Sequence, residues 1–318
     1  MTLQNKKILI TGGAGFIGYH LALALAKKNR VTILDNFLRG KKDLYLKKLL
    51  ISNKLECINC DLNKAIKIKK KFDIVFHLAA IIGVKNVKDN PLKTLQTNIF
   101  STIHLVNYLK KLSPKSKIIF FSTSEIYSNL IFSKLKKFPI KEDTQIFIPN
   151  TPTLRDSYFL SKIIGEKIIQ TSSLKYNILR PHNIYGPRMG MDHVIPQLID
   201  KLKKDKKKFV INSPSHKRAF CYIDDAIFQI LKISSSSKAE NGTFNIGNPL
   251  EEISMLNLGK KIKKNLKSNK KIFPGKITAG STPNRVPHVK KFMKIIKKHK
   301  FIDLDTGLKK TIDWYEKN

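Results

Sequence analysis

Lys6-Lys7-Ile8-Leu9-Ile10-Thr11-Gly12-Gly13-Ala14-Gly15-Phe16-Ile17-Gly18 joins a short apolar run to a glycine turn, and an apolar helical stretch, Tyr19 to Lys28, follows. Ile8-Leu9-Ile10 reads as a strand buried on both faces. Gly12, Gly15 and Gly18 are spaced three apart. Their missing side chains let the backbone approach a pyrophosphate beside Phe16 and Ile17, and the helix N-terminus adds free N–H groups and a positive dipole end. An acidic residue is then expected to end the next strand. Val31-Thr32-Ile33-Leu34 supplies the strand and Asp35 the acid, 17 residues after Gly18. Asp35 would accept hydrogen bonds from both ribose hydroxyls and repel a 2′-phosphate, which selects NAD over NADP.

Strands and helices alternate from there. Lys42 to Ser52 reads as helix and Leu55 to Cys60 as strand, with Asp61-Leu62 at the sheet edge beside the adenine. Phe72 to Ala80 reads as a buried strand running into Leu78, Ala79 and Ala80, small enough to leave room for the cofactor. His77 on it reads as structural. Pro91 to Leu112 is a long helix opened by a proline, and Asn98 within it is expected to brace the neighbouring strand end. Lys117 to Ser122 is a strand, residues 129–154 a long loop, Asp156 to Leu174 a helix, and Tyr176 to Arg180 a strand. The repeated strand–helix order predicts an α/β fold, a Rossmann-type doubly wound parallel sheet with ligands at the C-terminal strand ends. After residue 180 the pattern loosens into Asp192–Lys203 (helix), Lys208–Ile211 (extended), Asp224–Ile233 (helix), Thr243–Ile246 (strand), a very basic stretch from Lys260 to Lys276, and helices from about Val289 and Thr306.

Composition sets limits. No run of 18 apolar residues occurs, so no membrane span is expected, and no secretory segment precedes the first strand, which predicts a cytoplasmic protein. Three cysteines do not make a disulfide framework. Cys57 and Cys60 form a C-x-x-C on a strand, where residues three apart face opposite ways, so packing is expected and no metal site is read. A net charge of +38 raises nucleic acid as a partner. The 54 lysines, set against 7 arginines, are spread along the whole chain, and the plentiful Ile and Asn fit a codon bias. The arginines are therefore informative, because planar bidentate chemistry is a reason to keep Arg where Lys is the default.

Tyr158 and Lys162 stand at i and i+4, on one helix face. A lysine charge beside a phenol, with a nicotinamide cation nearby, favours phenolate, and such a tyrosine can act as general base towards a sugar hydroxyl. Together with Thr11 to Gly18, Asp35-Asn36, Asp61-Leu62, His77 to Ala80, Thr123 to Tyr127, Arg180-Pro181-His182-Asn183-Ile184-Tyr185-Gly186-Pro187-Arg188, Arg218 to Asp225 and Asn245-Ile246-Gly247, this pattern resembles the extended short-chain dehydrogenase/reductase family of nucleotide-sugar epimerases, dehydratases and decarboxylases. The resemblance covers nearly the whole chain. It implies that Tyr158 takes the C4 hydroxyl proton as hydride leaves C4 for NAD, that Lys162 binds the nicotinamide ribose, and that Thr123 shares the C4 oxygen. Asn183 and Arg188 would hold the substrate, and Arg218 and Arg285 would grip its two phosphates.

The product depends on Ser124-Glu125. Simple 4-epimerases have small residues there, and the sugar 4,6-dehydratases an Asp and a Glu; Thr-Ser-Glu resembles the UDP-glucuronate decarboxylases. Arg155, three before Tyr158, and Arg285-Val286-Pro287 resemble them too. A cation at Arg155 would bind a C6 carboxylate or a 4-keto oxygen. UDP-glucuronate decarboxylation is the expectation, ahead of a UDP-hexose 4-epimerase and then a 4,6-dehydratase, with an RNA-binding relative of the fold as a remote alternative. The domains expected are 1–180, binding NAD, and 181–318, mainly binding the nucleotide sugar and interwoven with the first. The resemblance also implies a homodimer, formed through the helices at 91–112 and 158–174.

Overall fold

The computed structural model describes residues 3–53, 55–132, 138–148, 150, 153–204, 208–278, 281–296 and 298–318. Six strands pair in parallel: β1 (Lys7–Thr11), β2 (Arg30–Asp35), β3 (Glu56–Asn59), β4 (Ile74–His77), β5 (Lys117–Phe121) and β6 (Lys175–Pro181). The Gly242–Ile246 strand lies beyond β6, and the spatial order is β3-β2-β1-β4-β5-β6 and then that strand. The order reverses between β1 and β4, the switch point of a doubly wound sheet.

Burial on both faces explains the apolar runs. Ile8, Leu9, Ile10, Val75, Phe76, Ile118 and Ile119 are fully inaccessible. One face is covered by α4 (Pro91–Leu112), whose Leu105, Val106 and Leu109 join Leu9, Val75, Ile118 and Ile178 in the core. Pro91 opens α4 and Lys110 and Lys111 close it, matching the helix dipole at its C-terminal end. The helix α1 (Phe16–Ala26) follows the glycine turn, α2 (Leu44–Ser52) is capped by Asp43 accepting from Leu46 N–H at 2.9 Å, and α3 (Val84–Asp89) precedes α4. The helix α5 (Asp156–Gln170) leads into β6.

Several expected bounds shift. The strand expected over Phe72–Ala80 is regular only over Ile74–His77, because Leu78 to Ala80 leave the ladder at the C-terminal edge. The α5 helix stops at Gln170 rather than Leu174; Thr171 caps it and Ser173, at φ +63°, turns the chain towards β6. The loop expected over 129–154 begins inside a 3-10 helix, Ser124–Phe132, wound up from the end of β5 where Thr123 Oγ1 accepts from Glu125 N–H at 3.1 Å. Residues 133–137, Pro149 and Pro152 of that loop lie outside the described residues. The basic stretch from Lys260 contains most of a helix, Met255–Asn265, with Met255, Leu258 and Ile262 buried and its lysines on the remaining faces.

The chain forms two compact units: Met1–Ile126 with Ile148–Arg180 and Ile227–Phe244, and Tyr127–Phe147 with Pro181–Ala226 and Asn245–Asn318. In the second, Lys217–Ala219 pairs antiparallel with Glu252–Ser254 and parallel with Asn284–Arg285. The segment around Ile140 joins it, with Ile140 N–H donating to Val286 O at 2.9 Å and Ile140 O accepting from His288 N–H at 2.8 Å. Among the described residues no helix is long and apolar enough to cross a membrane.

The tightest constraint is at the turn after β1. A Cβ on Gly18 would stand 2.4 Å from Gly12 O and 2.7 Å from Gly13 Cα, both backbone atoms, so nothing can move aside cheaply. Gly18→Ala is expected to destabilise the fold by about 2–3 kcal/mol, read as a lower Tm by circular dichroism, while Ala24→Ser on the exposed side of α1 leaves Tm unchanged.

Candidate active site

Gly12 has φ +70°, and a Cβ there would lie 2.8 Å from Ala79 N, so the turn and the segment after β4 touch backbone to backbone. Gly15 caps α1 without a side-chain hydrogen bond, and no acidic residue stands in the first turn. The N–H groups at Phe16, Ile17 and Gly18 lie in the first turn, before intrahelical acceptors are available, and the dipole adds positive potential. This cradle, which side chains would fill, fits a dinucleotide pyrophosphate.

Asp35 ends β2 and is buried. Its Oδ2 accepts from Ala14 N–H at 3.0 Å and its Oδ1 from Phe37 N–H at 2.8 Å. These bonds fix the orientation of the carboxylate at the end of β2. Asn36, half-buried beside it, accepts from Leu38 N–H at 3.2 Å. Asp61 is exposed and accepts from Asn63 N–H at 3.0 Å, whereas the Leu62 side chain points into the core.

Leu78, Ala79 and Ala80 are half-buried at the end of β4. His77 Nδ1 shares a hydrogen bond with Thr11 Oγ1 at 2.7 Å and its Nε2 one with Thr102 Oγ1 at 3.2 Å. Full burial, and then the Lys162 charge, push its pKa down to about 3, so it is neutral and ties β1 to α4. Asn98 Oδ1 accepts from Ile81 N–H at 2.7 Å, and its Nδ2 donates to Ile81 O at 3.2 Å and to Ser161 Oγ at 3.0 Å. It therefore braces the segment after β4 against α5.

Thr123 lies buried at the C-terminal end of β5. Arg155 precedes α5, and its Nη2 lies 3.7 Å from Glu125 Oε1, with both side chains partly exposed. Tyr158 is half-buried in the first turn of α5. One turn on, Lys162 Nζ donates to Phe121 O at 2.8 Å. Burial pushes its pKa down to about 8, against the opposing pull of Glu166. Glu166 is a residue that sequence reasoning missed: Arg180 Nε donates to its Oε1 at 2.9 Å and Arg180 Nη2 to its Oε2 at 2.7 Å. The signal was present, since Tyr158, Lys162 and Glu166 follow one another at intervals of four.

The residues expected to hold substrate lie in the second unit. Asn183, at φ +42°, donates from Nδ2 to Ala219 O at 3.1 Å. Arg188 is buried at 3% exposure, so it is not a surface charge. Arg218 and Arg285 are register neighbours on adjacent parallel strands. Arg218 Nη2 donates to Ser281 Oγ at 2.9 Å and its Nη1 to Pro283 O at 3.2 Å. Two like charges side by side on one sheet face repel, and an anion between them reverses that cost.

Comparison with known proteins agrees with this architecture. The profile of the NAD dependent epimerase/dehydratase family matches residues 8–247, and the chain belongs to that family, with NAD as its cofactor. It is 32% identical to the UDP-N-acetyl-alpha-D-glucosaminuronate decarboxylase of Bacillus cytotoxicus, over 98% of each chain. It is 28% identical to UDP-glucuronic acid decarboxylase 6 of Arabidopsis thaliana, over 96% of this chain and 87% of that one. Among solved structures it is similar to the UDP-glucuronic acid 4-epimerase of Bacillus cereus in complex with UDP-glucuronic acid and NAD, at a TM-score of 0.81 and 27% identity, covering 98% of this chain and 99% of that one.

The lysine makes a stability prediction. Its folded pKa of about 8 lies below the ordinary value of 10.5, so the charged form is the one the fold disfavours. The cost is present in full below pH 8 and fades as pH rises to 10.5, at about 1.4 kcal/mol for each pH unit between the two values. Lys162→Met, offset by the orphaned Phe121 carbonyl, is expected to stabilise the apo protein at pH 7 by about 1–2 kcal/mol, and the gain is expected to shrink above pH 8 in urea melts.

Proposed function

We propose that the protein is a UDP-glucuronate decarboxylase, acting through a 4-keto sugar. The observation that carries the reading is the Arg155–Glu125 pair, which sets a cation directly before the helix bearing Tyr158 and Lys162. Simple return of hydride to C4 leaves no lasting charge for such a cation to meet, whereas loss of carbon dioxide leaves an enolate on the C4 oxygen that a cation stabilises.

Bound between the glycine turn, Asp35 and Lys162, NAD would supply a hydride acceptor and donor for C4. Tyr158, as phenolate, accepts the C4 hydroxyl proton, and Thr123 donates a hydrogen bond to the same oxygen. Lys162 holds the nicotinamide ribose and favours phenolate at Tyr158. The resulting ketone is β to the C6 carboxylate, so the C5–C6 pair can flow into a delocalised enolate as carbon dioxide leaves. Arg155 orients the carboxylate and balances the charge growing on the C4 oxygen. Glu125 holds Arg155 in place; C5 takes a proton from water, and Tyr158 returns its proton to the C4 oxygen as the ketone is reduced. In the second unit Arg218 and Arg285 clamp the diphosphate, with Asn183 and Arg188 ordering the segment beside it.

Two supporting readings follow. The chain works as a homodimer: Leu92 and Phe100 on α4 and Ile164 on α5 are exposed, and a second copy would cover them. Cys57, Cys60 and Cys221 stand as thiols, which fits the reducing cytoplasm, and burial raises the Cys57 and Cys60 thiols above their ordinary pKa, which keeps them unreactive.

Purified protein with UDP-glucuronate and NAD is expected to release carbon dioxide and form a UDP-pentose, by mass spectrometry. UDP-N-acetylglucosaminuronate, assayed in parallel, decides whether the sugar carries an acetamido group. Arg155→Gln is expected to lower carbon dioxide release about 100-fold, roughly 2.7 kcal/mol of transition-state stabilisation, while C4 oxidation, followed at 340 nm, persists. Conversion of UDP-glucuronate to its C4 epimer without gas, or of UDP-glucose to UDP-galactose, identifies an epimerase instead.

A further inference from the structure

We propose that Glu166, gripped by Arg180, is a positioning residue for Lys162, holding its ammonium charged and aimed at the end of β5. The proposal rests on the role assigned to Lys162 above. Lys162 and Glu166 lie one turn apart on the same face of α5. All three side chains are buried, at 4% exposure for Lys162, 4% for Glu166 and 6% for Arg180. The Arg180 guanidinium meets the carboxylate through two parallel hydrogen bonds, which fix the plane and position of the charge.

The need for such a charge follows from where Lys162 sits. Its nitrogen donates to a carbonyl at the end of β5 and lies 5.1 Å from the centre of the Phe120 ring, two neutral groups that stand in for the water lost on burial. Burial still favours the neutral amine. The Lys162 charge reaches His77 on β4, which is neutral; Arg180, on β6, is positive and meets Glu166; and Tyr158 lies on the lysine's own helix. Among these groups Glu166 alone is a carboxylate, and it pulls the lysine back towards the charged form. Tethering by Arg180 stops Glu166 from closing onto Lys162, which would take the ammonium away from β5. Stability by itself does not call for the pair, since a buried ion pair often contributes no more than apolar residues of the same volume.

The test is the pH profile of kcat with UDP-glucuronate and NAD, whose alkaline limb reports loss of the Lys162 proton in the working complex. In Glu166→Gln an unbalanced guanidinium faces the lysine, and the midpoint is expected to fall by about one pH unit, a tenfold loss of the charged form. In Arg180→Gln an unbalanced carboxylate faces it, and the midpoint is expected to rise. The double variant Glu166→Gln/Arg180→Gln leaves a neutral, hydrogen-bonded pair that keeps the fold if either single change does not, and its midpoint is expected below wild type. Wild-type midpoints in every variant that folds would show the pair to be structural and overturn the proposal. Lys162→Met serves as the control: full turnover in it overturns the role of Lys162 and the proposal together, whereas a dead Lys162→Met with unmoved midpoints overturns the proposal alone.

Discussion

Backbone meets backbone where α1 leaves β1, and the first unit is built on that contact. Gly18 approaches Gly12 so closely that no side chain fits between them, and Gly12 in turn touches the chain after β4. The contact fixes three things together. It aims the start of α1 at one point, it sets the spacing of β1 against β4, and it places Ala79 and Ala80 beside the same point. A single methyl group would separate these elements, which is why the glycines recur where the helix repeat brings them back to the turn.

A second constraint is electrostatic. The parallel sheet is dry on its core side, and the chain puts an ammonium there, on Lys162 at the end of β5. Around that charge it arranges a carbonyl, a neutral histidine and a carboxylate held by an arginine. Such a centre costs stability and is preorganised in return: each partner is in place before any ligand arrives, so little reorganisation is left for the reaction itself. The same logic holds in the second unit, where Arg218 and Arg285 stand as register neighbours although like charges repel. Both arrangements are locally unfavourable, and places where local rules are broken are where function is expected.

Much of the fold was legible because its signals are short-range. Ile8-Leu9-Ile10, Ile118-Ile119-Phe120-Phe121 and the long α4 carry their periodicity within a few turns, and Pro91 marks the start of α4 where the structure begins it. The residues missed were those whose partners are distant or whose faces are ambiguous. Asp61-Leu62 reads as one step at the sheet edge beside an adenine, yet the core claims the Leu62 side chain. The expected loop starts at residue 129, but a hydroxyl-to-backbone bond at Thr123 opens a 3-10 helix that runs over Ser124–Phe132. Glu166 looks like any helix glutamate until β6 brings Arg180 against it.

The sequence by itself determined the sheet, the glycine turn and the acid that ends β2, because strand burial, glycine spacing and helix starts depend on neighbours within about twenty residues. It also singled out the few arginines in a lysine-rich chain as residues with a reason to be there. Only the tertiary structure decided what those arginines meet: Glu125 for Arg155, Glu166 for Arg180, and Arg285 beside Arg218. These pairings span 14 to 67 residues of chain. They follow from strand register and helix rotation, which no local pattern encodes, because one residue of register or a fraction of a turn would give each guanidinium a different partner.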